Sequence, residues 1–195
     1  MRAAEVHQLA RYEDLTAATR VGVYAGTTGE ARLLEMTGIT DADGVLLPAR
    51  RVATREAVVT DGSASYAITA GGATAALEGR QHLWPPAATM PQVVYLADEE
   101  ALFAALGAGR IDAVAGAEIG NRMGARNGGG AFEVTALDDR AEAGGFALAA
   151  ADERLAACLD RMIDWLTDGG RIGYQEWLED PAVFLRRARM SVGEP

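Results

Sequence analysis

The 195-residue chain contains no lysine: all 18 of its basic residues are arginine, set against 28 acidic ones for a formal net charge of −10. A chain this acidic has little with which to neutralise phosphates, which argues against nucleic acid as a partner. The charges are dispersed along the sequence, so a solvated acidic surface accounts for them. Cysteine is nearly absent, and the lone Cys158 excludes an intramolecular disulfide and any multi-cysteine zinc site. Its apolar, helix-patterned surroundings place it as an inert core thiol. The two histidines, His7 and His82, lie far apart and have no HExxH or Ser/His/Asp arrangement around them. No metal or cofactor is therefore expected. Long hydrophobic runs are missing as well; nothing approaches the roughly 20 apolar residues that span a bilayer, so membrane insertion is not expected. The opening MRAAEVHQLARYEDL carries Arg and Glu where a signal peptide has its apolar stretch, so no export signal is expected in it.

What is present suffices for a core. Hydrophobic residues make up 49% of the chain, with Trp84, Trp165 and Trp177 available as core or interface anchors. The length suits one domain, or one domain with an appendage. The stretch VGVYAGTTGEARLLE, residues 21–35, reads as a short buried strand that turns at once into a helix. Val21, Val23 and Tyr24 favour a strand, Gly26 permits a tight turn, and Thr27 or Thr28 can cap a helix with Ala31, Leu33, Leu34 and Met36 on its apolar side. The first N–H groups of such a helix suit an anion, although the turn lacks both a Walker lysine and a full GxGxxG. A capped turn with no ligand is the simpler reading of the pattern alone.

Further along, residues 5–16 suggest a short amphipathic helix. Val58 and Val59, then Tyr66 and Ile68, flank Asp61-Gly62, which predicts a β-hairpin inserted at about 52–70. Gly71-Gly72 and Pro85-Pro86 mark an irregular connection. QVVYLA then reads as a strand, DEEALFAALGAG as a helix capped by Asp98, and RIDAVAG as a strand. A short helix follows in AEIGNRMGARNGGG, and AFEVTAL and GGFALAA read as two further strands. DERLAACLDRMIDWLTDGG is a long amphipathic helix carrying Leu155, Cys158, Leu159, Met162, Ile163, Trp165 and Leu166 on its apolar side; helix continues over 171–189 with a break at Asp180-Pro181. Strands alternating with single helices predict an α/β fold with a mostly parallel sheet.

The order of three of these segments resembles the second half of bacterial extracellular solute-binding proteins of family 3, the polar amino-acid type. YEDLTAATRVGVYAGTTGE is similar to that family's Asp-Leu helix, Val-Gly-Val strand and Gly-Thr-Thr turn. DEEALFAALGAGRIDAVAG is similar to its Glu-Ala-Leu helix, Gly-Arg turn and Asp-Ala-Val strand. GGFALAAADERLAACLDRMIDWLTDGGRIGYQEWL is similar to its return strand and terminal helices. The resemblance covers roughly residues 8–36 and 92–180.

That resemblance implies a periplasmic-binding-protein-like lobe over residues 10–136, with 137–190 supplying a hinge return strand and the C-terminal helices of a first lobe whose other part is not in the chain. It further implies a non-catalytic, substrate-binding component of an ABC transporter, or a truncated relative of one. The expected ligand is a small polar solute such as an amino acid, with a transporter permease as a possible partner and a periplasmic or extracellular location. Thr28 and Gly29 fall at the positions that hold the solute's anionic group, and Gly26 and Thr27 shape that turn among the ligand-binding residues. The family's amino-binding Asp falls at Ala117 here; its neighbour Glu118 either substitutes for it or is a helix N-terminal acid complementing the dipole. Asn121 is one helical step further on, and Asp112 is structural in family terms. A dehydratase acting on cyclohexadienyl acids, with Glu118 as the proton donor, is the enzymatic alternative, and a ligand-sensing regulatory module is a third. With no first-lobe surface to cover them, the terminal helices imply a homodimer or docking with a separate first-lobe chain.

Overall fold

A computed structural model describes residues 1–3, 9–47, 51–53, 58–59, 67–70, 72–140, 148–180 and 182–192. It divides into two compact units, Met1–Asp139 and Arg140–Pro195. The first is mixed α/β. Its main sheet runs in the order β3-β2-β6-β7-β1-β8, where β1 is Arg20–Tyr24, β2 Arg51–Ala53, β3 Val58–Val59, β6 His82–Trp84, β7 Gln92–Leu96 and β8 Ala113–Val114. Two short strands, β4 (Ile68–Thr69) and β5 (Gly72–Ala73), form a separate antiparallel pair. Helices α1 (Thr28–Met36), α2 (Glu99–Gly107) and α3 (Glu118–Asn127) follow β1, β7 and β8.

The sheet is parallel over β7-β1-β8, as the alternating strands and helices led one to expect, and becomes mixed through the antiparallel strands on its other side. β1 runs parallel to both β7 and β8, while the β7–β6, β6–β2 and β2–β3 pairings are antiparallel. The parallel half is the part built from strand–helix units, which need a crossover helix to bring each strand back in the same direction. His82–Trp84, expected in an irregular connection, forms an interior strand between β2 and β7. The inserted hairpin also has a different register: Val58 and Val59 pair with Ala53 and Val52, whereas Ile68 pairs with Ala73. The Asp61-Gly62 turn and Tyr66 lie outside the described residues, as does His7.

Alternation along the parallel strands divides the core between the two faces of the sheet. Val21, Val23 and Val93 face α1 and pack with Leu33, Leu34, Ile39, Leu46, Ile68, Leu77 and Leu83. Val94, Leu96 and Val114 face α2 and pack with Leu102, Ala105, Leu106 and Ile111. Gly22 also faces α2, and the absence of its side chain admits that helix: a Cβ there would stand 2.4 Å from Ile111 Cδ1 and 2.8 Å from Leu102 Cδ2.

Three other expectations are corrected. Residues 9–16 contain one 3₁₀ turn, Tyr12–Asp14, instead of the end of an amphipathic helix. Segment 131–137 is not a strand; Phe132 forms a single bridge to Arg2, and its ring is drawn instead onto Phe103, 5.6 Å between centroids. Of the predicted return strand 144–150, residues 148–150 are not in a strand and the remainder lies outside the described residues. Asp138, just beyond the extended segment, is tied back by an ion pair with Arg32.

Among its described residues the second unit holds three helices, α4 (Glu153–Leu166), α5 (Tyr174–Glu179) and α6 (Val183–Ser191). Neither α4 nor α6 contains a fully buried residue. Cys158, expected in a core, is exposed. An amphipathic pattern specifies which side of α4 is apolar but does not supply a surface to cover it. α5 ends at Glu179 and α6 begins at Val183, so a break falls where one was expected, while Pro181 itself lies outside the described residues.

Candidate functional site

All three parallel strands end at one edge of the sheet, and each is followed within a few residues by a helix start. In open α/β sheets the crevice outside the carboxyl ends of the strands is the usual ligand position. Here it is a cleft of about 250 Å³ lined by Tyr24 at the end of β1, Thr27 and Thr28 of α1, Glu99 and Leu102 of α2, Val114 at the end of β8, and Gly116, Ala117, Gly120 and Asn121 at the start of α3.

The Gly-Thr-Thr-Gly turn is built residue by residue. Gly26 has φ +82°, a conformation glycine adopts without strain. Thr27 is the N-cap: its Oγ1 accepts a hydrogen bond from the Glu30 N–H at 3.1 Å and donates to the Tyr24 carbonyl at 3.0 Å. Among the described residues nothing accepts a hydrogen bond from the N–H groups of Thr28 and Gly29. Gly29 lies against the β8–α3 connection, where a Cβ would stand 2.6 Å from Gly116 Cα and 2.8 Å from Gly116 N. Two backbone segments thus meet at the floor of the cleft with no side chain between them.

The structure brings Thr27, Thr28 and Asn121 into the lining and sets Gly26 and Gly29 behind it. Asn121 donates from Nδ2 to the Gly116 carbonyl at 3.1 Å, so its amide fastens the connection it faces. Glu118 is not among the lining residues. It is exposed at the first position of α3, where its carboxylate accepts from Arg122 Nε at 2.6 Å, an i,i+4 pair on the helix surface. A proton donor of the dehydratase kind has to face the cleft, and Glu118 is exposed and outside its lining.

The carboxylate that does line the cleft is Glu99, at the first position of α2 next to the N-cap Asp98. It has no hydrogen-bond or ion-pair partner among the described residues. Its place depends on Gly120: a Cβ there would stand 2.7 Å from Glu99 Oε1. A signal for this packing in the sequence is the four-residue spacing of Gly120 and Gly124, which gives α3 a bare face against Glu99 and Phe103 of α2.

A second signal is the Thr27-Thr28-Gly29-Glu30 capping box. Glu30 is fully buried, at 0% exposure. Its Oε2 accepts from the Gly26 N–H at 2.6 Å, one residue before the usual capping-box donor. Its Oε1 accepts from Arg80 Nε at 2.6 Å and from the Tyr95 hydroxyl at 2.5 Å. Burial, and then the Glu30 charge, push the Tyr95 hydroxyl well above its ordinary pKa, which keeps it a neutral donor. Asp112 lies away from the lining and is structural: its carboxylate accepts from the Arg20 backbone N–H at 2.8 Å, Nε at 3.0 Å and Nη2 at 2.8 Å. Among the described residues no group of three His, Cys, Asp or Glu side chains is placed to hold a metal ion. Searches for similar proteins leave this geometry to stand alone: no protein-family model, no curated protein and no solved structure matches the chain.

Proposed function

We propose that the Met1–Asp139 unit is a solute-binding lobe whose cleft takes a small polar solute such as an amino acid. The observation that carries this reading is the cleft at the strand carboxyl ends, whose lining brings together Thr28, with the free N–H groups of Thr28 and, just behind it, Gly29, and the free Glu99 carboxylate from a different helix. The anionic group of the solute sits at the start of α1, where two open donors and the positive end of the helix dipole favour it. An ammonium group is taken by Glu99, which replaces Glu118 in the role first assigned to that residue. The lobe acts by holding the solute, with no reaction, as the substrate-binding component of a transporter does; its resemblance to family 3 solute-binding proteins supports the same class.

Tyr24, Thr28, Glu99 and Ala117 are exposed, so a solute seated there keeps one side in water. Binding by this chain alone is accordingly weak, with a Kd of about 1 mM or above, because desolvation and half of the polar partners are forfeited. Titration of the isotope-labelled chain with a panel of amino acids, followed by amide shifts in an NMR spectrum, tests the proposal. Saturable shifts at Thr28, Gly29 and Gly120 are expected. Their absence across the panel overturns the reading, and submicromolar affinity overturns the picture of a half-open lobe.

A further inference from the structure

The buried cluster of Glu30, Arg80 and Tyr95 does not touch the cleft, yet it grips the turn that forms one wall. Glu30 is 0% exposed and Arg80 is 7% exposed. Arg80 Nη2 lies 2.5 Å from Glu30 Oε1, its Nη1 donates to the Leu77 carbonyl at 3.3 Å, and its guanidinium stands 4.9 Å from the Tyr95 ring centroid. Stability is a poor explanation for such an arrangement. Burying two charges costs about as much as their attraction returns, and well-packed apolar residues of similar volume are often as good or better. Nor is the carboxylate needed as a cap, since Thr27 already fills that role.

What an apolar residue could not do at position 30 is accept the Gly26 N–H. That bond closes the turn from inside, while the other carboxylate oxygen is held by β7 through Tyr95 and by the segment before β6 through Arg80. Four backbone positions, 26 to 29, are thereby fixed relative to two neighbouring parts of the sheet. We infer that Glu30 is the positioning residue of the anion-binding turn, anchored by Arg80 and Tyr95 so that the Thr28 and Gly29 N–H groups are aimed into the cleft before any solute arrives. The inference rests on reading the cleft as a site for an anionic group. Its consequence is that affinity for carboxylates depends on a residue that never touches them.

The test uses the full chain as wild type, as Glu30→Leu, which leaves no acceptor for the Gly26 N–H, and as the double variant Glu30→Leu/Arg80→Leu, which removes both charges together and keeps the fold if the single variant does not. Sodium acetate is the anion probe, read at the Thr28 and Gly29 amides, and backbone relaxation and hydrogen exchange of residues 26–29 are measured without it. Slow exchange of the Gly26 amide in the wild type is expected. In the variants, residues 26–29 become mobile while β1 and β7 shifts persist, and acetate affinity falls about tenfold, the scale of one hydrogen bond to a charged group. A purely structural role predicts a lower melting temperature with an unchanged turn and unchanged acetate affinity, and that result overturns the inference. Should wild type fail to respond to acetate, the binding reading falls, and the ligand-free mobility comparison still decides the role of Glu30.

Discussion

Gly29 and Gly22 show how much of the first unit depends on side chains that are absent. A Cβ at Gly29 meets the backbone of Gly116, which cannot swing aside, so Gly29→Ala must push the start of α1 off the β8–α3 connection. Loss of about 1–3 kcal/mol is expected by chemical denaturation, together with shifted amide signals at 115–117. The second position of a helix ordinarily tolerates proline, but a proline ring here meets the same obstacle. At Gly22 the obstacles are the Ile111 and Leu102 side-chain ends, themselves packed in the core, and Gly22→Ala is expected to cost a similar amount by the same measurement. Asp112 carries a pH dependence. Burial pushes its carboxyl up, but hydrogen bonds from the Arg20 side chain and backbone, and the Arg20 charge, outweigh this and hold it below its ordinary value. A carboxyl whose folded pKa is depressed contributes stability above its unfolded pKa, near pH 4, and loses it as pH falls through the folded value. Arg20 is more than one-third exposed, so the contribution is about 1 kcal/mol. Asp112→Asn should therefore melt earlier than wild type at pH 7, and the two should converge by about pH 2.

At the scale of elements, helix α3 sets two opposing effects against each other. Glycine costs a helix up to about 1 kcal/mol relative to alanine, so each of its glycines is a candidate for stabilisation. At Gly124 a Cβ would lie 2.0 Å from Phe103 Cζ and 2.1 Å from Cε2, inside a ring wedged against Phe132. Gly124→Ala is expected to destabilise, because a ring cannot retreat as a chain end can. At Gly120 the nearest atom is the tip of Glu99, which is free to swing away. Gly120→Ala is expected to raise the melting temperature while weakening amino-acid binding, because it displaces the cleft carboxylate. Melting temperatures that fall in both variants would contradict this assignment. The same contrast between local and distant information governs what was legible in the sequence. β1, α1, β7 and α2 were legible because cap, period and strand preference lie within about ten residues and agree, with Thr27 and Asp98 both acting as caps. β6 and the partner of Val58 and Val59 were not, because a strand of two or three residues is specified by what pairs with it. The turn alone gave Thr27 and Thr28 as a capped helix start; the resemblance placed them at a ligand site. Glu99 and Glu30 were placed by neither, since one depends on a glycine 21 positions away in the chain and the other on Arg80 and Tyr95.

At the scale of the molecule, the unit Arg140–Pro195 raises a question that the first unit does not. Its helices are joined by specific contacts: the Trp165 indole N–H donates to the Arg187 carbonyl at 3.2 Å, and Arg187 Nε donates to the Trp165 carbonyl at 2.8 Å. The Arg187 guanidinium also lies 5.3 Å from the Trp165 ring centroid. These contacts fix α4 against α6 but bury little. Leu155 remains 48% exposed, Ile163 41% and Leu185 63%, and no residue of α4 or α6 is fully buried. A contiguous apolar stripe of this kind marks an interface more often than a solvated surface. Alanine and arginine elsewhere on α4 keep the helix soluble without covering that stripe. We expect the purified chain to form a homodimer through α4, with a mass that rises with concentration in analytical ultracentrifugation. Replacing Leu155 and Ile163 together by aspartate should shift the population to monomer, because both positions would place a charge in the contact. The first unit should keep its melting behaviour, since neither residue belongs to its core. A wild-type chain that stays monomeric at the highest concentration reached, or a double variant that dimerises as well as wild type, would mean that the stripe is not where copies of this chain meet.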